Sequence, residues 1–87
     1  MNTYVIEQAR WRTALAALSD GELVATFNKQ VGLTAFNSAR AAYLQCLKET
    51  LLDRDFDCSI LMKQYHGHEV FILAHQVHLL QGKLLRL

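Results

Sequence analysis

Apolar residues recur at every third or fourth position through the first part of the chain, a spacing that predicts amphipathic helices. The first predicted helix starts at Asn2 or Thr3 and continues to Leu18. A capping box, Ser19-Asp20-Gly21-Glu22, follows it: the Ser19 hydroxyl can accept from the backbone amide three residues on, and Glu22 can reach back to the Ser19 amide. This start signal predicts a corner between the first helix and the second.

The second and third predicted helices follow the same spacing. The second carries one apolar face, formed by Leu23, Val24, Phe27 and Val31. Gly32 ends it, because glycine can take the left-handed conformation that closes a helix, and Leu33 is placed for the hydrophobic contact that accompanies this ending. The third helix starts at one of three capping residues, Thr34, Asn37 or Ser38. Its apolar residues reach Leu51, so we expect it to be the longest helix and the central one.

The period changes to two after the third helix. Apolar side chains alternate with polar ones from Phe56 to Met62, which favours a strand over residues 56–62. A short helix capped by Asp57 or Ser59 is the alternative.

The last part of the chain is β-branched, aromatic and leucine-rich. It is predicted to form strands over Val70 to Ala74 and Val77 to Leu80, then a tight turn at Gln81-Gly82 and a last strand over Lys83 to Leu87. A helix ended by Gly82 is the competing interpretation. The predicted fold is therefore α+β, with three helices packed on a small C-terminal antiparallel sheet. The alternative is an all-α bundle of four or five helices.

The composition indicates where a partner would bind. A chain of 87 residues forms one domain, here residues 1–87, yet 52% of its residues are hydrophobic, more than a domain of this size buries easily. The helices use their apolar residues in ordinary stripes, and the surplus gathers in residues 70–87. We therefore expect a non-enzymatic protein-interaction module that forms a homodimer or binds a protein partner through its apolar C-terminal segment. The expected contact residues are Leu79, Leu80, Leu84, Leu85 and Leu87.

Charge and cysteine content exclude several other classes. Nine Lys and Arg face eight Asp and Glu, so no strong field favours a polyanion, and a weak nucleic-acid-binding regulator remains only an alternative. No apolar run approaches the ~20 residues of a membrane helix. The two cysteines, Cys46 and Cys58, are expected to be reduced and buried, which indicates a cytoplasmic protein.

Histidines and amides supply the remaining candidate chemistry. His66, His68 and Cys58 could contribute to a zinc site, which makes a small metal-binding protein another alternative, although solvent-facing histidines explain the pattern as well. Four polar residues surround the Gly32 corner and could hold a carboxylate of a partner: Asn28, Gln30, Asn37 and Arg40. No nucleophile motif and no phosphate-binding loop is present, so neither a catalytic residue nor a cofactor is predicted.

Overall fold

The computed structural model describes residues 3–33 and 37–87, with side chains from residue 7 onward. Within these residues three helices precede two small antiparallel hairpins, so the α+β prediction is confirmed and the all-α alternative is wrong. The helices are α1 (Thr3–Ala16), α2 (Asp20–Gln30) and α3 (Ser38–Asp53). A short 3₁₀ helix (Ser59–Leu61) leads into β1 (Met62–Tyr65), β2 (His68–Phe71), β3 (Val77–Leu80) and β4 (Lys83–Arg86).

Local capping signals set the helix starts as predicted. The Ser19 hydroxyl accepts from the Glu22 amide at 3.2 Å, and Glu22 accepts from the Ser19 amide at 2.9 Å, which completes the capping box of α2. Asn37 caps α3 by accepting from the Arg40 amide at 2.8 Å. The alternative caps at Asn2 and Thr34 lie outside the described residues.

The corner after α2 is built differently from the expectation in one respect. Gly32 adopts a φ of +87°, the left-handed conformation predicted for it. Leu33 is 54% exposed, so more than half of this side chain lies outside the hydrophobic contact expected of it.

The strand predicted over residues 56–62 is wrong. The Asp57 carboxylate accepts from the Ser59 amide at 2.9 Å, which favours a local turn over an extended chain, and residues 59–61 form the 3₁₀ helix. The strand starts at Met62. Similarly, the strand predicted over Val70 to Ala74 ends at Phe71.

The strands form two separate hairpins within the described residues, β1 with β2 and β3 with β4, in place of the single small sheet expected. A parallel bridge joins Asp57 to Lys83. The core lies between the helices and the inner side of these hairpins, and α3 is central to it because Cys46, Leu47 and Leu51 are all 0% exposed.

Aromatic contacts join the elements around this core. Trp11 of α1 meets Tyr43 of α3 edge to face at 5.5 Å between ring centroids. Phe27 of α2 meets Phe71 of β2 at 6.0 Å in the same arrangement. Such pairs stabilise by about 0.5–1.5 kcal/mol beyond their area burial.

Candidate functional site

The C-terminal hairpin carries the predicted contact residues and is built by a two-residue turn. Gln81 and Gly82 have φ values of +50° and +76°, the combination that a tight turn matching the twist of its strands requires. The turn pairs Leu80 with Lys83, His78 with Leu85, and Leu79 with Leu84. The strands and turn predicted for residues 77–87 are confirmed, with β4 ending at Arg86.

This register divides the five leucines between two faces, since successive side chains in a strand point to opposite sides. Leu84 and its partner Leu79 point inward. Leu84 is 0% exposed and Leu79 is partly buried against the core, so both belong to the packing of the domain. Their assignment to a partner surface is therefore corrected.

The other three leucines lie on the outer face and form what we call the leucine stripe: Leu80, Leu85 and Leu87. Leu80 is 54% exposed and Leu87 is 70% exposed, with half-buried Leu85 between them. The amide of Leu87 donates to the Gln76 carbonyl at 3.0 Å, which extends the hairpin by one residue pair. Leu80 and Leu85 are diagonal neighbours across the two strands, within reach of each other's side chains.

The edges of this hairpin are partly covered by bonds from neighbouring parts of the chain. On the β3 side, the Asn28 side chain binds the Val77 backbone, donating to its carbonyl at 2.8 Å and accepting from its amide at 2.9 Å. On the β4 side, the Leu84 amide donates to the Asp57 carbonyl at 3.0 Å. The outer face, rather than either edge, is thus the apolar surface that the hairpin offers.

The charged and polar residues beside the hairpin include Asp57, whose pKa is lowered by nearby hydrogen bonds. Hydrogen bonds from the Ser59 hydroxyl and amide, with a smaller contribution from the charge of Lys83, hold the pKa of Asp57 below its usual value. Asp57 therefore stays ionised beside the hairpin at neutral pH. His78 and Lys83 lie on the outer face with the leucine stripe and give it a polar rim.

The predicted polar corner is used inside the domain. Asn28 binds Val77, Asn37 caps α3, and Arg40 donates to the Gln30 carbonyl at 3.2 Å. These bonds give Asn28, Asn37 and Arg40 structural roles within the domain.

The three metal candidates lie in different environments: Cys58 is buried, whereas His66 and His68 are exposed. Cys58 is 7% exposed and its Sγ lies 3.8 Å from the Leu51 carbonyl. Burial raises the pKa of the Cys58 thiol, which disfavours the thiolate that zinc needs. His66 lies in the β1–β2 turn with a φ of +51°, and His68 starts β2. Among the described residues no group of three His, Cys, Asp or Glu side chains could hold a metal ion.

Arg12 and Trp11 of α1 are engaged in contacts within the fold. Arg12 forms an ion pair with Glu49 at 3.0 Å, and Trp11 packs on Tyr43. Both cysteines are free and buried, as predicted.

The structure also has a concave surface that the sequence does not predict. It is a groove of about 360 Å³ between α3 and β2, with Leu44 and Lys48 on the helix side and Val70 and Phe71 on the strand side. Leu44 is only partly buried against the core, and the rest of its side chain lines the groove.

Comparison of the chain with protein-family profiles, with curated proteins and with solved structures finds no significant match. In the part of the chain that the structure describes, no helix is both long and apolar enough to span a membrane.

Proposed function

We propose that this chain is a non-enzymatic protein-interaction module that forms a homodimer through the outer face of its C-terminal hairpin. The observation that carries the proposal is the leucine stripe, in which Leu80 and Leu87 expose more than half of their surface beside Leu85. Exposed apolar side chains that are contiguous and rimmed by polar residues are typical of protein contact sites.

Self-association fits the geometry of this surface. A two-fold axis would bring the same face of two copies together, so that each stripe covers the other. The hairpin is held firmly by the core residues Val77 and Leu84, which are 1% and 0% exposed, so little flexibility would be lost on binding. The small width of a two-stranded face implies a weak dimer, with a dissociation constant of about 1–10 µM.

A cytoplasmic location is part of the proposal. It is supported by the two free cysteines, Cys46 and Cys58, which lie in the core as thiols, as is usual in a reducing compartment.

Light scattering after size-exclusion chromatography tests the proposal with two matched double variants. Leu80→Lys/Leu87→Lys places charges on the stripe, whereas Leu33→Lys/Leu52→Lys changes two leucines of similar exposure elsewhere, 54% and 46%. We expect the wild type and the second variant to be dimeric at about 100 µM, and the first to weaken dimerisation at least tenfold, about 1.4 kcal/mol. A monomeric wild type, or equal effects of the two variants, would refute the proposal.

Point substitutions are preferable to removing the C-terminal residues. Leu84 belongs to the core, so a chain ending at Gly82 would lose folding and association together. Circular dichroism of both double variants verifies that the fold is retained.

A further inference from the structure

The groove between α3 and β2 combines an apolar floor with two opposite charges at its margin. Its helix side is formed by Ala41, Leu44 and Lys48, and its strand side by Glu69, Phe71 and Leu73. The strand side belongs to a hairpin that is otherwise exposed, since Val70 and Tyr65 have 40% and 62% of their surface accessible.

Within residues 3–33 and 37–87, one edge of β2 has no neighbouring strand. The two-residue turn makes Tyr65 and His68 a hydrogen-bonded pair, and the ladder continues to the Ile72 amide, which donates to the Leu61 carbonyl at 2.7 Å. Because hydrogen-bonded and non-bonded pairs alternate in antiparallel strands, the backbone groups of Glu69 and Phe71 point away from β1. Both residues line the groove, so this edge presents donors and acceptors to whatever occupies it.

We infer that the groove binds an extended peptide segment of a partner protein, which adds to β2 as a third strand. Backbone bonds to Glu69 and Phe71 would hold the segment. Side chains on one side of it would contact Leu44 and Phe71, so the segment needs apolar residues at alternate positions.

The charges define the occupant further. A residue of the added strand directly opposite Glu69 is a cross-strand neighbour, and opposite charges stabilise such pairs. The segment therefore carries Lys or Arg there, two positions from the apolar residue opposite Phe71. An acidic residue toward the helix side complements Lys48.

A second copy of this chain fits the groove less well. In another copy of the chain, β2 is already paired with its own β1. If the β2 strands of two copies paired with each other, the groove would have to accommodate both strands of the second hairpin. A single extended segment places one.

Selection from random displayed peptides of about eight residues, twice the length of β2, tests the inference on the full chain. We expect enriched sequences with alternating apolar residues and one basic residue. Leu44→Lys should weaken binding of a synthetic selected peptide at least about tenfold in calorimetry, while Leu52→Lys on the same helix should leave it unchanged. Absence of enrichment, or equal binding to both variants, would overturn the inference.

Two further measurements keep the result independent of any folding defect in Leu44→Lys. Selection on the Glu69→Lys variant should exchange the basic residue for Asp or Glu, since Glu69 is exposed and its change spares the core. Only every second amide of the added strand faces β2. N-methylation of those amides should therefore abolish binding, whereas N-methylation of the amides between them should preserve it. Strand addition would be contradicted if the Glu69→Lys variant still selected a basic residue, or if the two N-methylated peptides bound equally well.

Discussion

The side chain of Asn28 satisfies both backbone polar groups of Val77, with its Nδ2 donating to the carbonyl at 2.8 Å and its Oδ1 accepting from the amide at 2.9 Å. The amide of a side chain thus takes the place that a neighbouring strand would take at the edge of β3. It also anchors α2 to the C-terminal hairpin and so fixes the orientation of the leucine stripe on its outer face.

Removing this contact should destabilise the domain. Asn28→Ala leaves the partly buried amide and carbonyl of Val77 without their partners, and two hydrogen bonds of this kind contribute about 1–3 kcal/mol to the free energy of unfolding. Urea unfolding measures the difference, with Lys29→Ala, an exposed neighbour on the same helix, as the control. A loss equal to that of the control would show that the contact contributes nothing.

Arg54 should contribute more to the free energy of unfolding through its hydrogen bond to the Leu18 carbonyl than through its ion pair with Asp20. Its Nη2 donates to the Leu18 carbonyl at 2.8 Å, and its Nη1 contacts Asp20 at 2.6 Å. Arg54→Met removes both and should cost about 1.5–3 kcal/mol, whereas Asp20→Asn removes only a pair whose acid is 57% exposed, worth about 0–1 kcal/mol. Thermal unfolding of the two variants would contradict this ranking if Asp20→Asn were the more costly.

Two glycine substitutions should change stability in opposite directions. Gly82→Ala forces a side chain onto a φ of +76° and should cost about 1 kcal/mol. Gly21→Ala places a Cβ in open space within α2 and should stabilise by roughly 0.5 kcal/mol through higher helix propensity. Chemical unfolding of both proteins decides the matter, and a stabilised Gly82→Ala variant would show that the turn is not as described.

Acid should weaken the fold through three carboxylates. The Ser19 backbone and hydroxyl bonds lower the pKa of Glu22, those of Ser59 lower the pKa of Asp57, and Gln45 with Arg12 lowers the pKa of Glu49. A carboxyl group with a lowered pKa in the folded state stabilises above its unfolded pKa, about 4, and this contribution is lost as the pH falls through the folded value. Stability measured between neutral pH and pH 3 should fall below that point, and Glu22→Gln should flatten the fall. A pH-independent stability would contradict the assignment.

The sequence predicts those parts of the molecule that are encoded within a few residues. The capping box at Ser19, the cap at Asn37 and the turn at Gln81-Gly82 each rest on chemistry confined to one turn of chain. The His66-Gly67 turn has the same glycine signal as Gln81-Gly82, and His66 and His68 are exposed, which agrees with the solvent-facing interpretation of these histidines.

Contacts between distant parts of the chain were beyond this reasoning. Asn28 and Val77 are 49 positions apart, and nothing local to Asn28 marks it as the partner of a strand. The composition identified residues 70–87 as apolar, but the register that buries Leu84 and exposes Leu80 depends on which residues form the turn and which face meets the helices. The groove beside β2 likewise arises only when α3 and the first hairpin are placed together.

Intermolecular nuclear Overhauser effects in a mixture of isotope-labelled and unlabelled protein test the proposed dimer most directly. The proposal predicts contacts between the two copies at the methyl groups of Leu80 and Leu87, and their loss in Leu80→Lys/Leu87→Lys. Absence of such contacts at a concentration of about 1 mM, where even a weak dimer is populated, would contradict it, as would contacts from Leu44 and Val70 of the groove instead.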